Sequence, residues 1–326
     1  MHATLVKASD YLTREQVRRL RGKSDFVGAV LVLHAWALIA GCMVLFAWWP
    51  NPFTFLVGVM VIGSRQLGLA ILMHDAAHGL LFANRGLNDR VGGWLCAWPV
   101  FTSLELYRPY HLKHHRFTQQ PEDPDLGLSA AFPVSRRSLQ RKILRDLTGQ
   151  TAYLRRGEQL RRALGPADLG VGQRLGNLWR REKGALTANL VLFGLLAAAG
   201  YWWLYPVLWV LPLATWYQLA SRVRNIAEHA VVPDNDDPLR NTRTTRANPL
   251  VRLLLAPYWV NYHLEHHLFM FVPCWRLPAA HRALVTASRG RQMELQPGYL
   301  AVLRAATSLA ADSPRGSRGG GTAQHI

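Results

Sequence analysis

The sequence predicts an all-α membrane protein, with about four transmembrane helices in two hairpins and a cytoplasmic helical cap that carries clustered histidines. Three observations predict it. Apolar stretches lie near residues 26–49, 53–73, 185–205 and 207–220, and a helix crosses the hydrocarbon core with ~20 apolar residues. Half of the 326 residues are hydrophobic, yet the formal net charge is +18; a membrane protein with basic segments on one face reconciles the two. Eight of the 13 histidines fall in three short boxes, each placed after an even number of apolar stretches.

In chain order, residues 1–25 are polar and basic, with Arg14, Arg18, Arg19, Arg21 and Lys23 ahead of the first apolar run. They read as a cytoplasmic arm with an amphipathic helix around Arg14–Arg21. Phe26–Trp49 is apolar except for His34. Trp48, Trp49, Pro50, Asn51 and Pro52 then supply an aromatic interface and a turn. Phe53–Met73 returns, with Arg65 and Gln66 as its strongly polar members. A charge inside a span is costly, so Arg65 is expected to face protein or the interface. Val91–Leu104 is apolar but too short to cross, which fits a re-entrant or interfacial helix.

Pro121-Glu122-Asp123-Pro124-Asp125 is a loop by its prolines. Residues 105–184 hold sixteen Lys or Arg and read as a soluble region with amphipathic pieces such as Ser138–Leu147. Ala185–Tyr205 is the third expected span, closed by Tyr201, Trp202, Trp203, Tyr205 and Pro206; Val207–Leu219 returns and runs into Ser221-Arg222-Val223-Arg224. The remainder is cap-like, and residues 313–326 form a Ser/Gly/Arg-rich tail expected to be disordered. The domain reading is therefore arm 1–25, membrane domain 26–312 and tail 313–326.

Parity tests the topology. Two boxes follow two crossings and the third follows four, so all three fall on one side. The opposite turns, near residues 50–52 and 201–206, contain no Lys or Arg. By the positive-inside rule the histidine side is the cytoplasm. Nucleic acid explains the charge but not the apolar runs, and no nucleic-acid partner is expected. Cys42, Cys96 and Cys274 are far apart and make no CxxC, which argues against a thiolate metal site.

The boxes are His74-Asp75-Ala76-Ala77-His78, His111-Leu112-Lys113-His114-His115 and His263-Leu264-Glu265-His266-His267. Histidines at i, i+3 and i+4 share one helix face, and neutral imidazole is a common ligand for iron, zinc, copper and nickel. One such pair is ordinarily a surface or core feature. Three boxes together can surround two metal ions.

With hydrophobic hairpins between them, these boxes resemble those of the integral-membrane fatty acid desaturases and hydroxylases, over roughly Ile62 to His281. Val272-Pro273-Cys274-Trp275-Arg276-Leu277-Pro278 also looks like carotenoid ketolases. Met270 stands where many relatives have proline, a departure at a turn rather than at a ligand. The resemblance implies a di-iron centre at the cytoplasmic membrane face, held by His74, His78, His111, His114, His115, His263, His266 and His267. Related enzymes add a histidine beyond the fourth crossing and, one turn earlier, an asparagine acting through water. Asn225-Ile226-Ala227-Glu228-His229 has that spacing, which makes His229 a ninth ligand and Asn225 an outer partner. Asp75, Glu228 and Glu265 are read as acceptors for the distal N–H of ligating imidazoles; Asp123 and Asp125 either do the same or decorate a loop.

The implied activity is an O2-dependent di-iron oxidoreductase that introduces a double bond into the acyl chain of a fatty acid or membrane lipid. Alternatives within the superfamily are a hydroxylase or ketolase of a fatty acid, sphingoid base or carotenoid. A zinc membrane hydrolase is the outside alternative, although catalytic zinc uses about three protein ligands. Electrons are expected from a separate ferredoxin- or cytochrome-type protein, and a basic cytoplasmic face would steer an acidic donor.

Overall fold

The structure, a computed structural model, describes residues 7–287, 290 and 292–309. The tail expected at 313–326 and the first six residues of the arm lie outside the described residues. The described chain is mostly helical, with two two-residue strands. It divides into two compact units. One contains residues 25–107 and 144–220; the other contains the described parts of 1–24, 108–143 and 221–309.

The first unit is built on a helical hairpin, Asp25–Trp48 and Pro52–Ala77. Its turn is set by Asn51, whose side-chain oxygen accepts the backbone N–H groups of Phe53 (2.9 Å) and Thr54 (3.1 Å), with Pro52 at the first helical position where no donor is needed. Both helices are long and apolar enough to cross a membrane. Phe26, Leu33, Phe53 and Leu56 are exposed on them, while the second half of Pro52–Ala77 is almost wholly buried. Arg65 is 3% exposed and donates to Ser64 at 3.1 Å, so it is turned into protein as its cost in lipid requires.

The short apolar run after the first box does not cross. It winds as a π-type turn over Gly92–Ala97, tightens into a 3-10 turn at Trp98–Val100 and breaks at Phe101, which has a left-handed φ of 57°. Gly92 is required where this segment meets the hairpin: a Cβ there would lie 2.5 Å from that of Ala76.

The third and fourth expected crossings are built differently from the first two. The third belongs to a 28-residue helix, Val171–Ala198, that starts well before the apolar stretch, so basic residues fill its first half. It ends on Gly200 (φ 83°), with Tyr201 N–H returning to Leu196 O at 2.8 Å. The fourth is interrupted. Tyr205–Val210 is a π-type turn, Leu211–Ala214 a single helical turn, and Thr215 leaves helical geometry before Trp216–His229 begins. Pro206 and Pro212 supply the cause, since neither can donate to the helical ladder. Two helices of crossing length and composition are thus present among the described residues, against about four expected.

Buried Asn189 ties these pieces together. Its amide donates to Ala185 O (2.9 Å) and Trp98 O (3.2 Å), and its oxygen accepts from Tyr205 Oη and Trp209 Nε1, each at 3.0 Å. Every hydrogen-bonding site on that amide is used, which is what makes its burial tolerable.

The second unit assembles the arm, the second and third boxes and the C-terminal segments. Helix Arg14–Leu20 is closed by a capping box between Thr13 and Gln16. Tyr11 meets the edge of Phe269, and Arg21 lies over Phe271 at 4.6 Å, so this arm packs on the turn that follows the third box. Arg276 adds a hydrogen bond to Gly22 O at 2.9 Å. Thr244–Thr245 pairs in parallel with Leu295–Gln296, and Thr244 bridges Tyr262, next to the third box.

Candidate metal centre

The second box occupies the last turn of helix Leu104–Arg116, and the third box is itself a short buried helix, His263–Leu268. His229 is the last residue of Trp216–His229. Its position is fixed from outside the helix. Buried Arg243 caps that helix end, donating to Ala230 O (3.0 Å) and Val231 O (2.8 Å). Gln119 Nε2 holds His229 O at 2.7 Å from a backbone with a left-handed φ of 62°, strain of the kind found at functional sites.

Seven of the nine expected ligands come together in this unit, in two foci. His114, His229, His263 and His267 form one, with ligand atoms all within 4.8 Å of one another. Within it, His263 Nε2 lies 2.8 Å from His229 Nε2 and 3.0 Å from His267 Nε2. The other contains His111, His115 and His266, where His115 Nε2 lies 2.9 Å from the Nε2 atoms of both neighbours. The remaining two, His74 and His78, sit together in the first unit at the end of Pro52–Ala77, ring centroids 5.1 Å apart.

These contacts fit a metal better than they fit hydrogen bonding. An imidazole nitrogen has one in-plane position, either a lone pair or a hydrogen. It cannot make two good N–H···N bonds at once, yet His263 Nε2 and His115 Nε2 each meet two other nitrogens. Two nitrogens bound at ~2.1 Å to one ion, at right angles, sit about 3.0 Å apart, which is the spacing observed. The donor set, all imidazole, suits iron, zinc, copper or nickel.

Protonation agrees. Burial, then the charges of His114 and nearby arginines, hold His229 well below the usual imidazole range. Burial and the neighbouring histidines do the same to His263. Both are neutral with a lone pair to give. Burial opposes charge on His114 too, but its hydrogen bond to Asp123 and the carboxylates around it push its pKa up.

The partners behind the rings differ from those expected. His114 Nδ1 donates to Asp123 at 2.8 Å, which leaves Nε2 for a metal. Asp123 is itself locked by the N–H groups of Gln119 (2.9 Å) and Asp125 (2.8 Å). Thr118 gives its hydroxyl hydrogen to His114 O (2.9 Å), so it accepts from His267 Nδ1 at 3.2 Å. Of the two roles open to Asp123 in sequence, the structure gives it the one behind an imidazole; the parts of Thr118, Gln119 and Arg243 carry no sequence signal. The one available signal was an acid in a proline-bounded loop shortly after a histidine box.

Glu265 is a correction: its carboxylate accepts from His281 Nδ1 and from Thr244 Oγ1, not from a box histidine. The helix turns its side chain away from the face shared by His263, His266 and His267. Glu228 is a second correction. Its Oε2 lies 3.7 Å from His263 Nε2, on the inner side of that ring rather than behind it. Burial raises its pKa to about 7, against the pull of Arg224 and His114. Asn225 accepts from Arg224 at 2.7 Å, and Asp75 lies 3.8 Å from His74 Nδ1, beyond hydrogen-bond distance.

The chain is similar to known proteins. Over its full match the chain is 28% identical to a dihydrorhizobitoxine desaturase of Bradyrhizobium elkanii, covering 93% of this chain and 85% of that protein. It is 26% identical to beta-carotene ketolases of two Paracoccus strains, covering 78% and 76% of this chain and 88% and 86% of theirs. The fatty acid desaturase family matches residues 46–297. That span holds all three boxes and His229, and the chain belongs to the fatty acid desaturase family.

Proposed function

We propose that this protein is an O2-dependent di-iron oxidoreductase that introduces a double bond into the acyl chain of a fatty acid or membrane lipid. The observation that carries the reading is the pair of nitrogens, His263 Nε2 and His115 Nε2, that each face two further imidazole nitrogens. His114, His229, His263 and His267 hold one iron. His111, His115 and His266 belong to the set that holds the other, and His74 and His78 are the remaining two iron ligands of the nine. Bound there, a di-iron pair supplies the oxidising power, drawn from dioxygen and two external electrons, to remove hydrogen from an unactivated methylene.

The chain's own residues do the positioning. Asp123 and Thr118 fix the tautomers of His114 and His267, so that Nε2 faces inward. Arg243 and Gln119 pin His229. The fold reading is four crossings in two hairpins, with the boxes on the cytoplasmic face and a separate ferredoxin- or cytochrome-type electron donor.

The beta-carotene ketolase relatives favour a second reading: a ketolase or hydroxylase of a carotenoid or other lipid in the same superfamily. Loss of a second, adjacent hydrogen gives an alkene, and oxygen transfer gives an alcohol or ketone, so small shifts in substrate position separate them. Expression in a host of simple lipid composition, followed by mass spectrometry, decides. Loss of two mass units from an acyl chain supports desaturation, and a gain of oxygen supports the second reading. Metal analysis giving about one zinc per chain and no iron rejects both.

A further inference from the structure

A cleft of about 610 Å³ lies wholly within the second unit. It is lined by the strand Thr244–Thr245 and the segment after it, by Asn261, and by the start of the helix Tyr299–Ala306. Its volume falls in the range of small-molecule sites, ~300–1,000 Å³. None of the nine expected iron ligands lines it, so it is separate from the metal centre.

Two buried atoms on its lining lack partners. Asn261 is 3% exposed and Thr245 1%. Asn261 Nδ2 donates to Thr245 O at 3.0 Å, which fixes the amide, since turning it over would set two carbonyl oxygens against each other. Its Oδ1 is buried and takes no hydrogen bond, and Thr245 Oγ1 is buried and makes none. Buried polar atoms without partners are costly, and two on one cleft point to a ligand that supplies them.

The rest of the lining says what that ligand carries. Gly298 caps Tyr299–Ala306 without a side chain. Its carbonyl takes the N–H groups of Ala301 and Val302, which leaves those of Tyr299 and Leu300 at the helix start. Arg246 and Arg252 also line the cleft, and among the described residues of the lining none is acidic. A helix N-terminus and two guanidinium groups favour an anion. Donors from the helix start, both arginines and the Thr245 hydroxyl suit the three oxygens of a phosphate better than the planar pair of a carboxylate. Asn261 Oδ1 can only accept, so the ligand also brings a donor. An ammonium there would be opposed by the two arginines, whereas a hydroxyl would not.

We infer that this cleft binds the phosphate ester of a polyol: Arg246, Arg252, Thr245 Oγ1 and the N–H groups of Tyr299 and Leu300 hold the phosphate, and a neighbouring hydroxyl donates to Asn261 Oδ1. A phospholipid headgroup and a soluble polyol phosphate share this chemistry. The inference does not depend on the irons.

Isothermal titration calorimetry on the full-length protein in detergent tests it, with glycerol 3-phosphate as the probe and inorganic phosphate, glycerate and glycerol beside it. Glycerol 3-phosphate is expected to bind at least tenfold tighter than inorganic phosphate or glycerate, and glycerol to give no binding heat. Arg246→Gln, at an exposed position, and Thr245→Val are each expected to weaken it roughly tenfold. Thr245→Val removes a hydroxyl that has no partner in the protein, so its thermal midpoint is expected to hold or rise while affinity falls; a structural hydroxyl would lower the midpoint. Nanodiscs identify the source. Phosphatidylglycerol, but not phosphatidylcholine, blocks the probe if the cleft takes a lipid headgroup, and neither blocks it if the ligand is soluble; both results support the inference. Failure to bind both glycerol 3-phosphate and phosphatidylglycerol, the latter read by native mass spectrometry, overturns it. So does binding that both variants leave unchanged, and so does inorganic phosphate or glycerate binding as tightly as glycerol 3-phosphate.

Discussion

Asp123 and Glu265 contrast how two buried acids next to histidine boxes behave. Asp123 receives three donors, from His114 Nδ1, Gln119 N and Asp125 N. An amide offers one acceptor oxygen in place of two, so Asp123→Asn strands at least one of them and loosens the His114 ring. Iron retention in that variant is expected to fall by about 10- to 100-fold, measured by elemental analysis after chelator dialysis. Glu265→Gln can keep an oxygen on His281 while the Thr244 hydroxyl reverses. It is expected to lose less iron than Asp123→Asn in the same assay; an equal loss would place Glu265 closer to the metal than its contacts do. The ligands themselves were legible because i, i+3, i+4 spacing survives as a pattern in one dimension. Their supporting partners were not, because Asp123 and Thr118 meet their imidazoles through a loop path that no periodicity encodes. Glu265 sits inside a box yet faces outward, so adjacency in sequence was the wrong guide.

At the scale of elements, hydropathy located the apolar stretches and missed how two of them are built. The hairpin Asp25–Trp48 and Pro52–Ala77 was legible because an Asn-Pro turn separates two uninterrupted apolar runs. The stretch from Tyr205 reads as one run because proline and the aromatics are apolar by composition, but Pro206 and Pro212 divide it. The broken backbone there depends on side chains from elsewhere, Asn189 first among them. Asn189→Leu removes the acceptor for Tyr205 Oη and Trp209 Nε1 and the donor to Trp98 O. Each buried group left unsatisfied costs about 1–3 kcal/mol. The variant is therefore expected to unfold at clearly lower denaturant than Glu265→Gln, as read by circular dichroism in detergent. Tyr205→Phe, which leaves only one partner of Asn189 Oδ1 missing, should cost about 1 kcal/mol.

For the whole molecule, the sequence carries a charge argument that local packing does not replace. The turns at 50–52 and 201–206 carry no Lys or Arg, while the segment from 105 to 184 carries sixteen. An asymmetry of this size sets orientation across a bilayer, and it predicts both turns on the face opposite the histidine boxes. The interrupted fourth crossing makes this a real test: if the pieces Tyr205–Val210 and Leu211–Ala214 do not cross, all that follows them, His229 and the third box included, falls on the side of the second turn. Single cysteines at Asn51, Arg137, Trp202 and Arg240, each exposed or half-buried, provide the readout, in a background with Cys42, Cys96 and Cys274 replaced. In intact cells a membrane-impermeant thiol reagent is expected to label Asn51→Cys and Trp202→Cys but not Arg137→Cys or Arg240→Cys, and in inverted vesicles the pattern reverses. Labelling of Arg240→Cys together with Trp202→Cys would reduce the fourth crossing to a re-entrant segment. It would also leave His229, which follows that crossing, on the side opposite His114, a result the shared His114–His229–His263–His267 focus could not accommodate.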